Sequence, residues 1–200
     1  GMLAGVTFEN SDATGRATTA EGRARFANAL ALSQSYAQSP RGTILLSGGS
    51  GTGKTHLAAA IANRLMAKGD PVFFAFVPDL LDHLRSSYGP ENGLTYDELF
   101  EQIKNIPVLV LDDLGNHSGT PWAEEKLYQV LNHRYLTDLP TIITTGIAVD
   151  RLDARLQSRV LDPRTSQIVE LGGGTRTGVT GVGAVEPELL KQMSFDSFDL

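Results

Sequence analysis

Eight consecutive residues, Gly48-Gly49-Ser50-Gly51-Thr52-Gly53-Lys54-Thr55, constrain this chain more than any other stretch. They complete the pattern G-x-x-x-x-G-K-[ST], in which each position has its own task. Glycines allow backbone conformations closed to residues with side chains, so several N–H groups can converge on one anion. Lys54 can reach the β- and γ-phosphates of a nucleoside triphosphate as a point charge, and the Thr55 hydroxyl can ligate Mg²⁺. The flanks fit this reading. Thr43-Ile44-Leu45-Leu46 is a short apolar run suited to a buried parallel strand. His56 to Leu65 reads as an Ala-rich helix whose N-terminus would face the anion. The candidate nucleotide-binding residues are therefore Gly48, Gly49, Ser50, Gly51, Thr52, Gly53, Lys54, Thr55 and His56.

A phosphate loop alone leaves the metal and the attacking water unmanaged. Val108-Leu109-Val110-Leu111 is apolar throughout, as a central parallel strand should be, and Asp112-Asp113 follows it. Acids at the C-terminal end of such a strand reach the crevice where open α/β sheets bind ligands. Asp112 suits the Mg²⁺ shell together with Thr55. Asp113 suits polarisation of a water toward the γ-phosphate.

The remaining pattern alternates strands and helices. Strands are expected at 72–76, 106–111, 140–145 and 167–171. Helices are expected at 21–37, after the phosphate loop, from Pro78, and through Tyr96, Leu99, Phe100 and Ile103. Another runs from the Thr120-Pro121 cap to about Leu136, with Leu127, Val130, Leu131 and Tyr135 on its inner face, and a last one spans 148–156. This predicts an α/β fold: a three-layer P-loop NTPase with a five-stranded parallel sheet. One strand falls between the loop strand and the acidic strand in sequence, and another follows ending in polar residues. That order marks the additional-strand ATPases. Thr144 and Thr145 end the later strand, and one of them, with Thr145 as the candidate, is expected near the γ-phosphate as a sensor.

Composition sets the outer bounds. Two hundred residues with 41% hydrophobic content suit one globular domain. The absence of cysteine excludes disulfides, thiolate zinc sites and cysteine nucleophiles. His56, His83, His117 and His133 have no metal-ligand spacing. No apolar run approaches a bilayer span, so the expectation is a cytoplasmic protein with no membrane partner. Gly1 ahead of Met2 reads as a residue left by tag cleavage. A net charge of −6 argues against strong independent nucleic-acid binding. Arg151, Arg155, Arg159 and Arg164 form only a loose basic group, and weak single-stranded DNA binding by an oligomer stays open.

With these motifs assembled, GGSGTGKTHL (48–57), LVLDDLG (109–115), WAEEKLYQVLNHRY (122–135), LPTIITT (139–145) and LQSRVLD (156–162) resemble the DnaC/IstB branch of the AAA+ ATPases. VTFEN (6–10) is similar to the segment that precedes the core in that family, which implies that Phe8 and Asn10 line the adenine pocket. The resemblance implies an additional-strand sheet of the AAA+/RecA-like type, ATP or ADP with Mg²⁺ as ligands, Mg-dependent ATP hydrolysis, and nucleotide-dependent self-association. It also implies a protein partner: a replicative helicase placed on single-stranded DNA in the DnaC type, or a transposase in the IstB type. Ser158-Arg159 matches the Ser-Arg pair whose arginine enters a neighbouring subunit's site, so Arg159 is the candidate arginine finger, with Arg155 as a second.

The chain also departs from the family. Thr144-Thr145-Gly146 stands where Thr-Ser-Asn is usual, so hydrolysis is expected to be slow. No clear second sensor arginine follows, Arg176 being a weak candidate, and there is no clear C-terminal lid domain. The chain carries no counterpart of the separate N-terminal domain by which DnaC-type loaders grip the helicase. Either it is a fragment or the partner is recognised differently. The expected organisation is an N-terminal segment with a packed helix (1–37), the ATPase core (38–171) and a Gly-rich stretch with a tail (172–200). A nucleotide-gated adaptor with little turnover and a small-molecule kinase are the competing readings.

Overall fold

A computed structural model describes residues 5–11, 18–87 and 96–172. The Gly-rich tract with Arg176, the tail and the loop at 89–93 lie outside the described residues. Among those described, the order is α1 (Ala20–Gln38), β1 (Thr43–Ser47), α2 (Lys54–Ala67), β2 (Val72–Phe76), α3 (Val77–Ser86), α4 (Tyr96–Asn105), β3 (Val108–Asp112), α5 (Pro121–Leu136), β4 (Thr141–Thr145), α6 (Ala154–Val160) and β5 (Ser166–Glu170).

The five strands form one parallel sheet in the order β2-β3-β4-β1-β5. β4 therefore stands between the acidic strand β3 and the loop strand β1, which is the additional-strand arrangement expected from the sequence. The register sets Ser47 beside Thr145 and Phe76 beside Asp112. All the polar strand-end residues thus gather along one edge of the sheet, its C-terminal edge.

Alternation along the strands builds two cores. Ile44, Leu46, Val108, Val110 and Ile142 pack with Phe26, Ala29, Leu57, Ile61 and Leu65 of α1 and α2. Leu45, Leu109, Leu111 and Ile143 face the other way, onto Leu80, Leu84, Leu99, Leu127 and Leu156 of α3 to α6. Both faces are covered, which is why the runs 44–46, 73–75, 109–111 and 142–143 are apolar without alternation. The chain has three layers, with helices on each side of the sheet.

Local signals set the element ends. The Thr120 hydroxyl accepts from Ala123 N at 3.3 Å and caps α5 ahead of Pro121. At the end of α2, Lys68 N and Gly69 N donate to Leu65 O and Met66 O.

Two expectations are corrected. The segment at 148–156 is not one helix: a 3₁₀ turn at Val149–Arg151 is followed by α6, because the Asp153 carboxylate accepts from Arg155 N at 3.0 Å and restarts the helix there. In the last turn of α5 the buried residue is Arg134, not Tyr135. Tyr135 is only part-buried and donates its hydroxyl to Asp162 Oδ2 at 2.6 Å. No helix among the described residues is long and apolar enough to cross a membrane.

Candidate nucleotide-binding site

β1 delivers the chain to Gly48, where φ is 148°. A Cβ there would collide with the carbonyl oxygen of Leu171, on the chain leaving β5. Gly53, at φ 100°, ends the loop as the N-cap of α2, and a Cβ would lie 2.7 Å from the Phe26 ring. Helix α1 thus presses an aromatic ring on the loop from behind, a contact that no motif in the sequence announces. Between these points Thr52 Oγ1 donates to Gly49 O at 2.9 Å, and Gly51 takes φ 75°. Beside Gly49 and Gly51 the space is open: chain neighbours aside, no heavy atom of the described residues lies within 4 Å of an added Cβ. Backbone N–H groups at an open, glycine-lined turn leading into a helix N-terminus suit a polyphosphate.

Lys54 is 9% exposed and donates through Nζ to Gly49 O at 2.7 Å. Burial pulls its pKa below the ordinary lysine value, while Asp113 and Asp112 push back. Thr55 Oγ1 donates to Asp112 Oδ1 at 2.9 Å. The same carboxylate oxygen accepts from Thr144 Oγ1 at 2.7 Å. One carboxylate therefore ties the phosphate-loop helix to the ends of β3 and β4. Burial raises the Asp112 pKa; the two threonine hydroxyls, both donating to the charged form, work against that shift. A hydroxyl and a carboxylate in contact beside a phosphate cradle fit Mg²⁺ as shared ligands.

Asp113 follows with φ 63°, a left-handed conformation uncommon outside glycine. Its N–H donates to Thr144 Oγ1 at 2.8 Å. Its carboxylate accepts from Asn116 Nδ2 at 2.8 Å.

Several sequence candidates sit differently from expectation. The Thr145 hydroxyl is fully buried and donates to Leu114 O at 2.7 Å. Its neighbour Thr144 is the threonine that contacts the acidic pair, because alternate strand residues face opposite sides of the sheet. His56 Nε2 pairs with Ser11 Oγ at 2.8 Å, and Asn63 Nδ2 donates to Val6 O at 2.8 Å. Both ties strap the 5–11 segment along α2. Phe8 is buried in the α1–α2 core. Asn10 spends its side chain on its own turn, accepting from Thr7 N and donating to Gly5 O. Arg159 donates to Asn132 Oδ1 at 2.7 Å and to Tyr128 Oη at 3.4 Å, and its guanidinium lies 5.0 Å from the Tyr135 ring centroid. Apart from a 3.5 Å contact with its neighbour Ser158, these partners are all on α5. Arg155 pairs with Glu125 at 2.7 Å and Asp153 at 3.3 Å.

Asn116 and Phe26 are the residues sequence reasoning missed. Of the pair Thr144 and Thr145 it took Thr145 as the candidate, and strand alternation would have separated them. Asn116 was out of reach, since a single polar residue in a turn has no pattern.

The chain is similar to known proteins over most of its length. Residues 16–167 match the family described as "IstB-like ATP binding protein". The chain is 33% identical over 152 residues, 75% of its length, to the replicative helicase loader DnaI of Bacillus subtilis, covering 47% of that protein. It is 29% identical over 138 residues, 68% of its length, to the replicative helicase loader DnaC of Escherichia coli K12, covering 56% of it. The chain spans about half the length of these curated relatives. Among solved structures, that of the DnaC helicase loader superposes with a TM-score of 0.71 at 21% identity, covering 86% of this chain and 99% of that one, a likeness of fold. The family match takes in most of the chain, including the glycine loop, the acidic strand and the strand inserted between them, and the chain belongs to the IstB-like ATP binding proteins.

Proposed function

We propose that this chain binds Mg-ATP at the C-terminal edge of its sheet, hydrolyses it, and works as an AAA+ helicase loader in DNA replication. The observation that supports it most is the Asp112 carboxylate, which bridges the hydroxyls of Thr55 and Thr144 with Asp113 next in the chain. Four features needed for nucleotide hydrolysis converge there: phosphate loop, metal ligands, acid and inserted strand.

Lys54 gives up its contact with Gly49 O and turns to the phosphates. Thr55 and Asp112 would hold Mg²⁺, which would supply neutralising charge to the phosphate oxygens. Asp113 accepts the hydrogen bond that orients a water toward the γ-phosphate. Thr144 serves as the polar contact from β4, a role expected of Thr145 from sequence. Arg159 has no carboxylate partner among the described residues and supplies positive charge to a neighbouring subunit's site. Phe8 packs behind the adenine site, and Asn10 closes the turn that carries it. The helicase-loader reading over transposition rests on the relatives named as replicative helicase loaders. The partners are then further copies of this chain, a replicative helicase and, weakly, single-stranded DNA.

Phosphate release from Mg-ATP at several protein concentrations tests this, with Lys54→Ala, Asp113→Asn and Arg159→Ala beside the parent. Specific activity should rise with concentration, and each variant should lose at least about 100-fold. A parent that binds nucleotide but turns over no faster than Lys54→Ala, with or without single-stranded DNA, would sink the ATPase reading and leave a nucleotide-gated adaptor.

A further inference from the structure

The end of β4 leaves a gap beside the acidic pair. Gly146 carries no side chain, and among the described residues, its chain neighbours aside, an added Cβ would meet Asp113 Oδ1 alone within 4 Å, at 3.8 Å. Nothing from β4 therefore steers that carboxylate through a side chain. On the other side stands a tight turn. Asn116 N donates to Asp113 O at 3.3 Å, and Gly115 between them takes φ 95°. A side chain at 115 would run into Ile147, so the turn is seated against the chain leaving β4. This turn brings the Asn116 amide onto Asp113 Oδ2 at 2.8 Å. Asp113 is thereby held at two points, its N–H by Thr144 and one carboxylate oxygen by Asn116. The second oxygen, Oδ1, faces the open space at Gly146.

We propose that Asn116 is a positioning residue for the reaction: its amide fixes the Asp113 carboxylate so that Oδ1 is presented to the water. The side-chain amide comes from the β3–α5 turn, on the side away from Gly146. Asn116 is exposed, so this hydrogen bond adds little to stability. Its effect is on orientation, since an acceptor that swings freely is seldom in line with the water it must polarise.

The inference rests on the ATPase reading, and the test separates the two. Turnover and the Kd for a fluorescent ADP are measured for the parent, Asn116→Ala, Asn116→Ala/Gly146→Asn, Asp113→Ala and Asp113→Ala/Asn116→Ala. Asn116→Ala should lower kcat about tenfold, the usual scale for a supporting shell, and leave Kd within about twofold. An amide placed at 146 should recover much of that loss by holding the carboxylate from its other side, through the Oδ1 lone pair that the water does not use. In the Asp113→Ala background the Asn116 change should cost nothing further. A readout without nucleotide accompanies these: the Asn116 side-chain amide NMR signal should move toward that of a solvated asparagine in Asp113→Ala.

A parental kcat in Asn116→Ala overturns the proposal. So does an equal loss with and without Asp113, a Kd that worsens in step with kcat, no recovery with an amide at 146, or an amide signal indifferent to Asp113. A parent no faster than Lys54→Ala is a different result: it removes the ATPase reading and this assignment with it.

Discussion

Lys54 and Arg134 are buried cations at opposite ends of the same parallel strands. Lys54, at the C-terminal edge, makes one hydrogen bond among the described residues, to Gly49 O. An ammonium has three donors, so most of its capacity is unspent. Arg134 sits at the other edge and is 1% exposed. It donates to Thr141 Oγ1 and to the carbonyls of Lys104, Ile106, Pro107 and Pro140, at 2.6 to 3.5 Å. These groups come from the end of α4, the chain entering β3 and the chain entering β4. No carboxylate among the described residues takes part. Burial pulls the Arg134 pKa down to about 10, which still leaves it protonated at neutral pH. A guanidinium with every donor engaged is closed to ligands and locks three segments together. A lysine with donors to spare is a binding group held ready. Two buried cations thus differ in role, and the hydrogen-bond account tells them apart.

Three measurements bear on that contrast. Arg134→Met should produce the largest change, since it strands four carbonyls and a hydroxyl in a dry pocket. A loss of about 4 kcal/mol is expected, or roughly 10 °C in Tm. Arg134→Lys should recover only part of it, because three donors cannot serve five acceptors. A chemical denaturation curve showing under about 1 kcal/mol would mean the pocket is wet, and the contrast would collapse.

The second measurement concerns the open end. Asp112 has its pKa raised by burial, so its charge opposes folding. For an acid with a raised folded-state pKa, the folded protein holds the proton more tightly. Stability then falls as pH climbs from the unfolded value, near 3.8, through the higher folded value, and the penalty stays constant above it. Asp112→Asn should therefore stabilise the nucleotide-free protein at pH 7 by about 1 kcal/mol while abolishing turnover. That gain should shrink as pH drops through the carboxylate range. Equal thermal shifts at pH 7 and pH 3.5 would show that the charge is not the cause.

The smallest effect belongs to Arg41, which pairs with Asp138 at 2.6 Å near the same edge as Arg134 but is 84% exposed. Arg41→Ala should change stability by no more than about 0.5 kcal/mol. A larger loss would mean that geometry outweighs burial at this edge.

The sequence disclosed the open end far better than the closed one. Gly48 to Thr55, and Asp112 with Asp113, are read from local patterns because each task belongs to a fixed position in a short run. The sheet order was legible too, since helix-strand alternation and the strand between the two motifs limit the topology. Arg134 was not legible. It stands within an amphipathic helix where the apolar spacing favoured Tyr135, and its acceptors are backbone carbonyls that carry no residue-type signature. Thr144 and Thr145 could not be separated by composition, only by which face of the sheet each occupies. Asn116 and Phe26 act through contacts across turns and between helices, for which one chain offers no periodicity.

The left-handed backbone at Asp113 has a consequence for redesign. Short polar residues tolerate φ 63° better than longer or branched ones. A glutamate here would carry its carboxylate one methylene further, but on a main chain that resists it. The distance over which this acid can act is thus set by the turn, with side-chain length already used up as a variable. Lengthening that reach means first rebuilding residues 113 to 116 so that position 113 returns to the right-handed or extended region.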